Sequence, residues 1–222
     1  MAEYQAPEYH PAVEEYCQTI FELLEDDVAV IQARIAERLG VSRPAVSEMI
    51  KRLERDGFVR TGDKLQLTEA GQRLAQSVVR RHRLAERFLT DVLNLSWAEA
   101  HAEAGKWEHV ISPKVEAALV ELLGNPTTCP HGNPIPGSDY TAPDMVALDT
   151  LGPGSQFTVA RIPEELEFDD GQLEFLENNH VLPGRLGQIM ASSPDGATTV
   201  EIEGATVGIG AFAAARILVS AG

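Results

Sequence analysis

The chain has 222 residues, 44% of them apolar, and a formal net charge of −16. That length allows one large domain or two ordinary ones, and no run reaches the ~20 apolar residues needed to span a bilayer. The N-terminal MAEYQAPEYHPAVEE is acidic and lacks an apolar stretch, so it does not read as a secretory signal. Cys17 and Cys129 lie far apart, which suits a reducing compartment better than a disulfide framework, and the expected location is cytoplasmic. The charge is uneven. Between Arg34 and Arg87 there are 13 Lys/Arg against 7 Asp/Glu, leaving 5 against 27 elsewhere. An acidic protein with one basic segment points to nucleic-acid binding through that segment, and its acidic remainder suits cations.

Residues 12–26 space Val13, Tyr16, Cys17, Ile20, Leu23 and Leu24 as one face of a helix. A second helix, IQARIAERLG, stops at Gly40. A third opens with Ser42 as N-cap and Pro44 in its first turn, and Gly57 closes it. FVRTGDKLQLT then reads as strand, turn, strand, with Gly62 and Asp63 at the tip. Two short helices, a tight turn and a hairpin make a winged helix-turn-helix, whose second helix enters a major groove. On that reading Arg34, Ser42, Arg43, Pro44, Ser47, Lys51 and Arg52 face DNA, joined by Arg60 and Lys64 from the wing.

From Glu69 one long helix runs to about Leu93, and another follows from Ser96, whose capping box is completed by Glu99. A short amphipathic helix ends at Gly124; its Val115, Leu119, Leu122 and Leu123 stripe is either core or a dimer seam. Residues 125–147 are rich in Pro and Gly and read as a tether. Beyond them FTVARI, GQIMAS, TTVEIE and ATVGIG are strand-like, with a helix over 169–179, which together suggest a small β-barrel. The chain is therefore expected to be mainly α with a β-rich C-terminal domain. The expected divisions are 1–73 for the winged helix, 74–124 for a helical metal-binding and dimerisation domain, 125–147 for the linker and 148–222 for the barrel.

His82 and Glu86, four apart, share a helix face. On the next helix His101, Gly105, Glu108 and His109 fall within an arc of about 100°. Facing His and Glu sets on adjacent helices are how bundles build metal sites, and imidazole with carboxylate suits Mn, Fe, Co, Ni or Zn. His101 and His109 are roughly 12 Å apart along the axis, while metal–ligand bonds are only ~2 Å. Two sites per subunit follow: His82, Glu86 and His101 in one, Glu108 and His109 in the other.

At these residues the sequence resembles the diphtheria-toxin-repressor family of metal-dependent transcriptional regulators. The matching stretches are ARIAERL (33–39), RLERDGFV (52–59), RHRLAERFLTDVL (81–93), HAEAGKWEHVIS (101–112) and HGNPIPG (131–137). The resemblance implies a homodimer that binds a double-stranded DNA operator, activated by Fe(II) or Mn(II), with an SH3-like C-terminal domain. It places an ancillary metal site on His82, Glu86 and His101, joined by Asp169 and Gln172. It places the primary site on Glu15, Gly105, Glu108 and His109. Iron-type members carry Met and Cys where this chain has Glu15 and Gly105, and manganese-type members carry carboxylates at both. Losing both sulfurs favours Mn(II) or Fe(II) over softer ions; Gln18 is a further possible donor. Two alternatives stay open: a winged-helix protein whose metals are structural only, and a metallohydrolase, for which no H-E-x-x-H, G-x-S-x-G or phosphate-cradling loop is present.

Overall fold

The structure, a computed structural model, describes residues 11–169 and 171–221. The N-terminal MAEYQAPEYH, on which the non-secretory reading and the start of the first expected domain rest, lies outside the described residues. Helices α1 (Pro11–Glu25), α2 (Gln32–Arg38) and α3 (Arg43–Arg55) and the hairpin β1 (Val59–Arg60) and β2 (Gln66–Leu67) form the first body. Ser42 accepts a hydrogen bond from the Ala45 amide at 3.3 Å, Pro44 occupies the first turn, and α3 buries Val46, Ile50 and Leu53. The wing pairs antiparallel, Val59 opposite Leu67.

Helix α4 (Glu69–Asp91) is capped by Thr68 and serves two cores. Its Leu74, Ala75 and Val78 pack with α1–α3, while Leu84, Ala85 and Leu89 pack with α5 (Trp97–Trp107) and α6 (Pro113–Leu122). The division expected at 73/74 therefore falls inside a continuous helix. The capping box of Ser96 and Glu99 is formed. Val115 and Leu122 of α6, with Val110 before it, stay exposed, while Leu119 is buried.

The C-terminal part is a six-stranded antiparallel sheet in the order β3-β8-β4-β5-β6-β7. Its strands are β3 (Val146–Ala147), β4 (Gln156–Arg161), β5 (Leu186–Ser192), β6 (Thr198–Ile202), β7 (Ala205–Ile209) and β8 (Leu218–Ala221). Register breaks between Val159 and Arg161 and between Ile189 and Ala191 are the bulges that bend such a sheet. Three short helices flank it: α7 (Glu164–Glu167), α8 (Gln172–Asn178) and α9 (Ala211–Ala214). Strand β8, helix α7 and helix α9 have no counterpart in the sequence reading, because each is four residues long and carries no measurable periodicity. The expected helix over 169–179 is the shorter α8, and Asp170 lies outside the described residues.

Within the tether expected over 125–147, residues 128–135 are a correction, while 139–144 are largely exposed and carry no helix or strand. Cys129, His131 and Asn133 are fully buried and Ile135 nearly so, and Thr128 bridges Pro134. Proline and glycine here shape a tight ordered turn. Gly132 has φ +88°, and a Cβ on it would meet the Ala160 carbonyl oxygen at 2.3 Å, so only glycine lets this turn press against β4. Trp97 of α5 likewise belongs to the core of the β-rich part. No helix among the described residues is long and apolar enough to cross a membrane.

Arg83 joins the pieces. It is fully buried on α4 and donates to Glu25 of α1 at 2.5 Å, to Glu164 of α7 at 2.9 Å and to the Pro134 carbonyl at 2.5 Å. Removing one partner of a buried ion pair strands the others without compensation, at a cost of about 3–5 kcal/mol. Arg83→Leu is expected to lose that much in urea unfolding followed by far-UV circular dichroism. Lys106→Ala, which breaks only an exposed pair with Glu103, is expected to change stability by under about 1 kcal/mol.

Candidate metal centre

Helix α4 carries His82 and Glu86 on its buried face, and α5 brings His101 against them. His82 Nε2 lies 3.1 Å from Glu86 Oε1, and His101 Nδ1 lies 3.0 Å from the same oxygen. The ligand atoms of these three residues all fall within 4.8 Å of one another. Two further sets with the same closeness overlap them: Glu86, Cys129 and His131, and His101, Glu164 and Glu167. Cys129 and His131 come from the buried turn, and Glu164 and Glu167 from α7. The sequence reading missed all four. The one local signal was a Cys and a His two residues apart in a stretch otherwise read as a tether.

Asp169 and Gln172, placed here by resemblance, are not among these sets. Asp169 is exposed and lines a separate cavity of about 570 Å³ with Arg34, Arg38, Phe168 and Arg216, and Gln172 opens α8. Helix α7 instead brings Glu164 and Glu167 to the cluster, the latter two residues before Asp169.

The electrostatics are those of a site short of positive charge. Glu86, Glu164 and Glu167 are buried, and one oxygen of each has no hydrogen-bond partner; neither ring nitrogen of His131 has one either. Burial pushes the imidazoles toward neutrality, but the surrounding carboxylates outweigh it. They hold His82 well above the usual histidine range, raise His131, and raise His101 to about 10. Burial would lift the carboxyls too, yet His131 and His101 keep Glu167 at about 2. Burial, with Glu86 and Glu167 nearby, pushes the Cys129 thiol well up. Unpartnered donors aimed into a buried cluster of imidazole, carboxylate and one sulfur fit a divalent transition ion.

A second group lies at the other end of α5. His109 Nδ1 is 2.6 Å from Glu14 Oε2 of α1, and its Nε2 is 3.3 Å from Glu108 Oε1. Glu15 is half exposed and 3.9 Å from His109 Nε2, so the first-helix carboxylate in direct contact is Glu14. Glu15, Gln18, Gly105 and Glu108 line one cavity of about 270 Å³ that also reaches His82 and His101. A Cβ on Gly105 would meet nothing within 4 Å, so this position leaves open space. His82 ties the two groups together, its Nδ1 standing 2.5 Å from Glu108 Oε2.

On the winged helix, Ser42, Arg43, Pro44, Lys51, Arg52, Arg60 and Lys64 are exposed and Ser47 is half-buried. Lys51 pairs with Glu48 at 2.8 Å. Arg34 differs: it turns toward the β-rich part and meets Glu165 at 3.5 Å.

Two family models match the chain: "Iron dependent repressor, N-terminal DNA binding domain" over residues 9–67, and "Iron dependent repressor, metal binding and dimerisation domain" over residues 68–137. The iron-dependent repressor IdeR of Mycobacterium tuberculosis (strain ATCC 25618 / H37Rv) is 44% identical over 204 residues, covering 86% of this chain and 88% of the relative. The diphtheria toxin repressor of Corynebacterium diphtheriae is 50% identical over 128 residues, 57% of each chain. Among solved structures, a manganese-dependent transcriptional repressor in complex with manganese superposes with a TM-score of 0.85 at 34% identity, covering 94% of this chain and 99% of that one. The manganese regulator SloR superposes at 0.75 with 30% identity, covering 98% and 100%.

Protons and a metal ion compete for the same nitrogens. A histidine whose pKa is raised on folding contributes stability that is full below pH ~6.5 and is lost as the pH climbs through the raised value, about 10 for His101. A divalent ion must expel that proton, so its affinity rises with pH over the same window. Calorimetric titration with Mn(II) at pH 7 in buffers of different ionisation enthalpy is expected to register net proton release, and tighter binding at pH 8 than at pH 6.5. Affinity independent of pH across that range would show that ions do not enter here.

Proposed function

This chain belongs to the iron-dependent repressor family, and from that premise we propose that it is a transcriptional repressor switched on by Fe(II) or Mn(II). The observation that carries the reading is the meeting of α1 and α5. Glu14 of the DNA-binding body contacts His109 at 2.6 Å, while Glu108 beside it touches His82 of α4. An ion held by Glu108 and His109, with Glu15, Gln18 or the Gly105 carbonyl completing its shell, would tie the first helix to the helical body. That fixes the spacing of the two recognition helices in a dimer, which reads paired half-sites only when the spacing matches the DNA repeat. The effector then binds one conformation better than the other, and DNA in turn tightens the metal.

The second site takes His82, Glu86 and His101, with Glu164 and Glu167 in the places first assigned to Asp169 and Gln172. Arg43, Ser47, Lys51 and Arg52 of the recognition helix face the major groove, with Ser42 and Pro44 at its start and Arg60 and Lys64 on the wing. The exposed Val110, Val115 and Leu122 supply an apolar face for the homodimer seam. The winged-helix unit ends near residue 73 in this scheme and the dimerisation unit near 124. The buried turn at 129–135 docks the β-rich unit rather than tethering it loosely. Family members are repressors, not enzymes, which removes the metallohydrolase alternative. Family membership also favours genes of metal homeostasis as targets.

Fluorescence anisotropy on the protein's own promoter DNA separates a sensor from a protein with structural metals. Wild type is expected to bind at least tenfold tighter with anaerobic Fe(II) or Mn(II) than under chelator. Glu108→Ala is expected to lose that gain while keeping its fold by circular dichroism. Equal binding with and without chelator would leave a DNA-binding protein whose metals do not switch it.

A further inference from the structure

We propose that Glu48 and Lys51 together read a C·G base pair in each operator half-site, Glu48 accepting from the cytosine N4 amine and Lys51 donating to the partner guanine. The proposal rests on the reading of the chain as a repressor whose α3 enters the major groove, and it names the base pair that this helix selects.

Val46, Ile50 and Leu53 define the buried side of α3. At about 100° per residue, Glu48 projects within roughly 15° of the direction opposite their mean, and its side chain is 75% exposed. Pro44, Lys51 and Arg55, all exposed, flank it on the same stripe. Glu48 therefore stands at the centre of the face offered to the groove floor. The neighbouring acids are engaged elsewhere. Glu54 accepts from the Thr61 amide of the wing at 3.0 Å, and Asp56 meets Arg52 at 3.5 Å. Glu48 is the acid left in the middle of a face that otherwise carries Lys51, Arg52 and Arg55.

A carboxylate in that place meets mostly acceptors. Phosphate oxygens repel it, as do guanine O6 and N7 and thymine O4. The donors on the groove floor are the exocyclic amines, N4 of cytosine and N6 of adenine. Adenine sets its N7 acceptor beside N6, against the second carboxylate oxygen, whereas cytosine has only a C–H on that side. Cytosine is thus the base that receives Glu48 without repulsion from its own edge. The hydrogen bond from Lys51 holds the Glu48 carboxyl below the usual carboxylate range, so it acts as an acceptor at neutral pH.

Lys51 supplies the other half. Its Nζ lies 2.8 Å from Glu48 Oε1, which sets an acceptor and a donor side by side within one helical turn. A C·G pair presents the complement, the N4 donor next to the O6 and N7 acceptors of guanine. Reversing the pair puts the guanine acceptors against the carboxylate and the amine against the ammonium. The two side chains therefore fix both the identity and the orientation of the pair.

The test is selection from a randomised duplex pool by the full chain, anaerobic and loaded with Mn(II), beside Glu48→Gln. Wild type is expected to enrich paired half-sites with cytosine at one position. Glu48→Gln is expected to keep those half-sites but move that position to adenine, which glutamine matches through N6 and N7. In fluorescence anisotropy, changing that C·G to T·A in one half-site is expected to weaken wild type about tenfold and Glu48→Gln less than about twofold. Because Glu48 is exposed, the variant is expected to retain its fold by circular dichroism. Identical selected sequences for both proteins, or a wild-type preference other than cytosine at the position that changes, would overturn the assignment and leave the repressor standing. No enrichment and no DNA binding by metal-loaded wild type would bring down the repressor reading itself.

Discussion

A guanidinium with no access to water organises this molecule. Arg83 must spend its donors on protein, and it does so on three segments far apart in sequence: the end of α1, the turn at Pro134 and the start of α7. Its charge is balanced by Glu25 and Glu164, and those carboxylates in turn hold their own helices in place. Arg161 on β4 repeats the arrangement at the edge, meeting Glu25 and Asp26 at 3.2 and 2.5 Å. Buried charge contributes little net stability but penalises every other packing of the same pieces. The β-rich part is thereby held against α1 and α4 in one orientation, and that orientation is what brings α7 into the metal cluster.

The same economy links the metal-binding side chains to the DNA-binding body. From His109 and Glu14 a line of contacts passes through Glu108 to Gln18, then to Glu22 and on to Arg38 of α2. Arg38 also lies 4.4 Å over the ring of Phe168, whose other neighbour is the His101 ring. Burial lifts the Glu22 carboxyl to about 8, helped by Glu164 and opposed by Arg38. Helix α2, which sets the base of the recognition helix, thus rests on both metal groups through side chains rather than backbone.

What could be read from the sequence was whatever local chemistry dictates. Ser42 with Pro44, and Ser96 with Glu99, name helix starts because their side chains satisfy amides one turn away. His82, Glu86 and His101 were visible because helical periodicity puts them on facing surfaces. Cys129 and His131 were hidden because proline and glycine mark loops and tight buried turns alike; only the contact with β4 tells the two apart. Glu164 and Glu167 were hidden for a different reason. Their helix is a single turn, and its approach to α4 is set by Arg83 and by the sheet, both distant in sequence. Between Glu14 and Glu15 the sequence also could not choose, since adjacent helical residues differ by about 100° in direction and the tilt of α1 decides which one meets His109.

That the cluster draws on both α4 and α7 has a consequence for how the protein is made. The wing closes at Leu67 and the core beneath it takes in Val78 of α4, yet 100 residues separate Leu67 from Glu167. At bacterial and eukaryotic elongation rates that is roughly 5–20 s. During that interval the chain gains the residues of its DNA-reading core before it gains the α7 carboxylates of the cluster. The Glu108–His109 pair and the exposed Val110, Val115 and Leu122 also precede Glu167, so the cluster is the last of the candidate metal-binding parts to be assembled.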